Sequence, residues 1–178
     1  MQQAVKTPAG EHRLTLSEVL DWLVEDGMVD PGAVAQLKKE RRYYRGTQHP
    51  LLSVAEQKWK SLAAPHRALT LEVLAEWLAR RVAMPYLHID PLKIDFSAVT
   101  EVMSSAYATR FRILPVAVSA KETVIATAEP FVREWEHELA AILKLEVRRV
   151  IANPADIERY QIGRASCRET VLISVGAV

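Results

Sequence analysis

Residues 112–130, RILPVAVSAKETVIATAEP, set two β-branched runs on either side of a short polar segment and stop at Glu129-Pro130. Runs of this kind joined by a polar turn read as a β-hairpin. An isolated two-stranded hairpin is barely stable in water, so the flanking sequence has to cover its faces. The hairpin therefore decides the fold class of everything around it.

The flanks supply that cover. FSAVTEVMSSAYATRF before the hairpin carries Val99, Val102, Met103, Ala106 and Tyr107 at helical period. EPFVREWEHELAAILKL after it reads as a helix with Pro130 near its start and Val132, Trp135, Leu139, Ile142 and Leu143 on one face. LEVRRVIA is a third strand, with Val147 and Val150 on opposite faces, and Asn153-Pro154 caps a last helix, PADIERYQ. YLHID, between Pro85 and Pro91, is a short extended segment.

The first part of the chain has a different period. LTLSEVLDWLVEDG places Val19, Leu20, Leu23 and Val24 on one helical stripe, capped either by Ser17 or by Thr15 with Glu18 spaced as a capping box, and with Gly27 at the C′ position. Asp30-Pro31 starts a second helix, which runs into KKERRYYRG. LLSVAEQKWKSLA reads as a third, and after the break AAPHR, LTLEVLAEWLARR reads as a fourth. LTLSEVLDWL and LTLEVLAEWL share their leading Leu-Thr-Leu and later Trp-Leu at an offset of 55 residues. Either an internal duplication or two like-capped amphipathic helices produce such a match.

These elements predict an α+β fold: a helical N-terminal subdomain over 1–64, then residues 65–161 as a three-stranded sheet packed with helices on one side. The tail 162–178 departs in composition and holds Cys167, the single cysteine. Its IGRASCRE resembles the translation of a sequencing adapter, so 162–178 is set aside as non-native, with a native β-branched strand as the other reading.

Bulk properties exclude several classes. The chain has 178 residues, 49% of them hydrophobic, enough for a real core. Its net charge of +1 supplies no field for nucleic acid or an acidic membrane. The start MQQAVKTPAGEHR has no apolar stretch of a signal peptide, and no run reaches the length of a membrane span. The expected setting is cytoplasmic.

No G-x-x-x-x-G-K-[ST], G-x-G-x-x-G or G-x-S-x-G occurs, so phosphate-cradling loops and a nucleophile elbow are absent from the sequence. The five histidines, His12, His49, His66, His88 and His137, show no zinc spacing. His137 lies in EWEHE but opposite Trp135 and Leu139, which favours a solvated residue over a general base. Arg80-Arg81 and Arg148-Arg149 read as exposed charges, and Trp22, Trp77 and Trp135 as core or interface anchors. Arg41, Arg42, Tyr43 and Tyr44 interleave charge with aromatic faces. They suit a partner, an anionic ligand or nucleic acid, or else form a solvated helix end favoured by the macrodipole.

WLARRVAMPYLHIDPLKID, YATRFRILPVAVSAKETVIATAEP and LEVRRVIANPADIERY together resemble the N-terminal domain of the GspE/PilB-like ATPases of type II secretion and type IV pilus assembly. Pro85, Tyr86, Asp90, Arg110, Leu114, Pro115, Ala126, Ala128, Glu129 and Pro130 fall on that family's positions. The resemblance covers about half the chain and implies an adaptor that docks a hexameric motor on an inner-membrane platform protein. Arg41, Arg42, Tyr43 and Tyr44 are the expected contact, with no nucleic acid partner and no direct membrane insertion. The ATP and Mg of the family belong to a motor whose Walker motifs do not occur here, so no enzyme activity and no cofactor are expected of this region. Some relatives bind cyclic di-GMP through paired motifs beginning R-L-G-x-x-L with a Gly four residues after the second Leu. Leu23 and Gly27 fit, but Glu18 and Leu20 stand at the Arg and Gly places, and LEVLAEWLARRVAM lacks the matching Gly. Those departures leave a cyclic di-GMP-sensing module as the alternative, with the dinucleotide disfavoured.

Overall fold

A computed structural model describes residues 10–40, 48–94 and 102–161. Four helices come first: α1 (Leu16–Glu25), α2 (Pro31–Glu40), α3 (Pro50–Ala55) and α4 (Leu71–Arg81). A 3-10 turn at Pro91–Lys93 precedes α5 (Ser105–Phe111) and the hairpin β1 (Ile113–Val118) and β2 (Glu122–Thr127). Helix α6 (Glu134–Leu143), strand β3 (Glu146–Ile151) and helix α7 (154–161) complete the described chain. The α+β class holds.

Local chemistry sets most boundaries. Of the two caps open to α1, Thr15 with Glu18 is the one that forms, as a capping box, and Ser17 lies inside the helix. Asp30 caps α2 by accepting the Ala33 N–H at 2.9 Å, and Asn153 receives the Ala155 N–H at 3.0 Å before α7. Two expected helices are shorter than their periodicity. The third ends at Ala55, because Lys58 turns left-handed at φ 54° and residue 60 bridges residue 68 in an extended loop. The helix before the hairpin begins only at Ser105, where the Ser104 hydroxyl receives the Tyr107 N–H at 3.2 Å; residues 95–101 of that expectation lie outside the described chain.

The sheet has the order β1-β2-β3, with β1 antiparallel and β3 parallel to β2. The β1–β2 register shifts between Pro115 and Ala117. Pro115 has no N–H for the ladder, so a bulge at this point is the low-cost solution. At the end of β3 the outer edge is taken up by residues 85–87: Leu87 donates to the Ile151 carbonyl at 2.8 Å and Ile151 donates to that of Pro85 at 2.8 Å.

Helices cover both faces of the sheet, not one. Ile113, Ile125 and Val147 face α5 and α6 through Phe111, Trp135 and Leu139. Leu114, Val116, Ala126 and Val150 face α7 and the 87–94 segment through Ile157 and Ile89. The strands' two-residue alternation with apolar residues on both sides demands this arrangement. Ile142, expected on the apolar face of α6, is instead 66% exposed, because Trp135 and Leu139 already define the buried stripe.

Helices α1 to α4 enclose a separate core of Val19, Leu20, Leu23, Val34, Leu37, Leu51, Val54, Leu74 and Leu78, which Ile151 joins from the end of β3. Helices α1 and α4 finish in the same way. Met28 donates to the Leu23 carbonyl and Met84 to that of Ala79, both at 2.9 Å. Gly27 sits at the left-handed C′ position with φ 65°, and Ala83 sits at its counterpart with φ 54°. A Cβ in this conformation costs about 1–2 kcal/mol, part of which glycine's extra unfolded-state entropy returns. Ala83→Gly is therefore expected to raise stability by about 1 kcal/mol, and Gly27→Ala to lower it by a similar amount; urea denaturation of the two variants measures both.

Candidate functional site

Where the helical layer meets the sheet, a groove of about 670 Å³ opens between the segment before α1, the N-terminus of α3, helix α5 and helix α7. Arg13, Arg110 and Arg112 line it, and Glu158 is the one carboxylate among its lining residues. Each arginine is held by its element. Arg110 ends α5, where a cation suits the helix dipole. Arg112 takes the left-handed cap of that helix (φ 54°, ψ 47°), which turns the chain into β1. Arg13 reaches across and donates from Nη2 to the Arg110 carbonyl at 3.1 Å. At the base, Gln161 of α7 donates to the carbonyls of Ala108 at 2.9 Å and Ile113 at 2.7 Å, fixing α7 to the α5–β1 corner.

Below the arginines lies a buried polar knot. His49 is the N-cap of α3, and its Nδ1 accepts the Leu51 N–H at 3.2 Å. The proton must then sit on Nε2, which donates to the Ala128 carbonyl at 3.0 Å. Burial pulls the His49 pKa down to about 4, against the Ala128 hydrogen bond and with help from the nearby Arg112 charge, so the ring is neutral at pH 7. Glu129, 2% exposed, accepts the Leu14 N–H through Oε2 at 2.9 Å. Its Oε1 lies 3.8 Å from His49 Nε2 and 3.9 Å from an Arg112 guanidinium nitrogen. Burial pushes the Glu129 pKa up, and the Leu14 hydrogen bond with Arg112, Arg13 and His12 only partly offsets this.

The sequence-derived candidates fare differently. Arg41, Arg42, Tyr43 and Tyr44 lie outside the described residues. His137 is exposed, beside a shallower recess with Arg133 and Arg149. Arg81 is not a free surface charge: it pairs with Glu25 and Asp26 and lies over the Trp22 ring, 5.2 Å from its centroid. Arg149 is held as well, by Glu136 at 3.2 Å and the Pro130 carbonyl at 3.0 Å. At the places of the paired motif, Glu18 is consumed by the α1 capping box and Leu20 is fully buried. The C-terminal ends of α1 and α4 are already joined by Trp77 Nε1 donating to Asp26 at 2.7 Å. Sequence reading passed over Arg13, His49 and Arg112. A histidine directly before Pro50, in the N-cap place, was the available sign.

Residues 82–165 match the MshEN domain. The chain carries an MshEN domain. This upholds the resemblance to the GspE/PilB type of N-terminal domain. The type IV pilus assembly ATPase TfpB of Acinetobacter baylyi is 31% identical over 153 residues, which span 82% of this chain and 26% of TfpB. The chain thus corresponds to about a quarter of the length of that relative. A solved structure of MshE with cdg (cyclic di-GMP) superposes with a TM-score of 0.52 at 17% identity, covering 85% of this chain and 99% of that one. The N-terminal domain of XpsE gives 0.49 at 13% identity over 86% of this chain and 97% of that one. The MshE structure corrects one expectation. A region with no cofactor, in which cyclic di-GMP is disfavoured, does not agree with a fold that holds cdg in MshE.

Among the described residues, no group of three His, Cys, Asp or Glu is placed to hold a metal, and no helix is long and apolar enough to cross a membrane.

Proposed function

We propose that this chain is the cyclic di-GMP-sensing N-terminal region of a type IV pilus assembly ATPase. Its dinucleotide site is the groove between the helical layer and the sheet. The observation that carries the reading is charge and size together. Three arginines against one carboxylate among the lining residues, with His49 neutral, make the wall of a space of about 670 Å³ net positive, and the buried Glu129 behind Arg112 offsets part of that charge. Cyclic di-GMP carries two phosphodiester anions, and ligand sites of its size occupy roughly 300–1,000 Å³. Guanidinium groups suit phosphate oxygens through paired N–H donors, and guanine N7 and O6 accept from arginine equally well. The arginines differ in sequence position from the R-L-G-x-x-L motif, whose Arg place holds Glu18 here. The phosphate contacts of this chain therefore come from Arg13, Arg110 and Arg112.

Isothermal calorimetry on the 178-residue chain tests the reading. Saturable binding of cyclic di-GMP at micromolar or lower concentration supports it. An absence of heat at high micromolar ligand rejects it.

Docking of a motor onto an inner-membrane platform protein is the second reading, favoured by the likeness to a pilus assembly ATPase. In this view the parent is a hexameric, ATP-hydrolysing motor in the cytoplasm, peripheral to the inner membrane through its partner. The bound dinucleotide would then set how the domain presents its surface to that partner.

A further inference from the structure

We propose that Glu129 is a built-in competitor for the groove's guanidinium groups and so sets the affinity of the site for anions. The inference rests on the dinucleotide reading of the groove and concerns its regulation.

Glu129 is 2% exposed and sits in a ring of donors and charges contributed by different elements. Leu14 before α1 offers a backbone N–H, His49 of α3 lies 3.8 Å away, and Arg112 at the α5 cap lies 3.9 Å away. Arg13 and His12 of the N-terminal segment add positive potential. His49 contributes no charge, because its Nδ1 is occupied by the Leu51 N–H and its Nε2–H by the Ala128 carbonyl. Compensation of the carboxylate thus falls largely on Arg112 and Arg13, and both line the groove. The distance to Arg112 exceeds a hydrogen bond, so the two interact as charges across a low-dielectric interior.

Holding the Leu14 N–H needs only an acceptor oxygen, which a glutamine also offers. The negative charge is not needed for that hydrogen bond and carries a desolvation cost. Its consequence is electrostatic. A phosphodiester entering the groove draws on the same guanidinium groups and meets the field of a buried like charge, which lowers its affinity. Occupancy of the groove in turn makes the charged carboxylate less favourable, so binding drives a proton onto Glu129.

Calorimetry of cyclic di-GMP with the wild-type chain, Glu129→Gln and Glu129→Ala, in two buffers of different ionisation heat, tests the idea. Glu129→Gln is expected to bind about tenfold more tightly. The wild type is expected to take up a fraction of a proton per ligand at mildly acidic pH, and that part of the uptake vanishes in Glu129→Gln. The wild-type proton count does not depend on any variant folding. Equal or weaker binding by a folded Glu129→Gln, or proton uptake unaltered by it, overturns the competitor role while leaving the ligand assignment standing. No binding by any of the three removes the ligand assignment and the competitor role together. Binding by Glu129→Gln alone supports the competitor role in its strongest form.

Discussion

Replacing His49 by Ala is expected to lower the unfolding free energy by about 4 kcal/mol at pH 7. Three losses combine. Helix α3 loses its N-cap on Leu51, the buried Ala128 carbonyl loses its donor, and an imidazole volume that is 4% exposed becomes a cavity. His49→Asn keeps a capping oxygen for Leu51 but cannot reach Ala128, and is expected to recover about 1 kcal/mol of the loss.

The pH dependence separates this from an ordinary core defect. The folded-state pKa of His49 lies at about 4, below the ordinary value of 6.5. Between those values the unfolded chain binds the proton and the folded chain does not, so stability is complete above pH 6.5 and is lost as pH falls toward 4. The loss attributable to His49 over that window is about 3 kcal/mol. Glu129 works in the opposite sense. Its raised folded pKa means its charge weighs on the fold at neutral pH and is relieved by protonation as pH falls. Urea denaturation at pH 7 and pH 4.5 checks both: His49→Ala flattens the acid-side loss, and Glu129→Gln steepens it.

Reversing the groove's charge gives the second large effect. The double variant Arg13→Glu/Arg110→Glu is expected to weaken cyclic di-GMP binding by at least about a hundredfold, since each lost charge-assisted contact is worth roughly 1.5–3 kcal/mol. Both side chains are exposed, so the fold is expected to change by only about 1–2 kcal/mol, through the last turn of α5 and through the loss of the Arg13 charge near Glu129. Binding to the wild type should also fall steadily with added salt, and the double variant should lose most of that dependence. Titrations at low and high salt, beside a melting curve, distinguish a site effect from a folding effect.

Local rules explain what could be read from the residues alone. The capping box of Thr15 and Glu18, the Asp30 and Asn153 caps, the hairpin and the buried Trp135 all arise from contacts within a few positions, or from the two-residue and 3.6-residue periods. The groove is different. His49 meets Ala128 across 79 residues, Leu14 meets Glu129 across 115, and Gln161 meets Ile113 across 48. No spacing pattern encodes such pairs, and the intervening arginines look like any surface charge until the layers close around them. Helix α3 stops short of its periodicity for a related reason. QKWKSLA continues a helical period, but Ser61 and Leu69 bond instead to the backbone of Arg67 and Trp59 in the loop. Arg81 and Arg149 likewise looked exposed because their carboxylate partners lie 55 and 13 residues away.

The most direct test of the central claim is the backbone amide spectrum of the 178-residue chain, recorded during a titration with cyclic di-GMP. The account predicts saturable shifts clustered at Arg13, Leu14, His49, Arg110, Arg112 and Gln161, with the far side of α6 around Ile142 unmoved. Shifts confined to the C-terminal ends of α1 and α4, or no shifts at all, would contradict it.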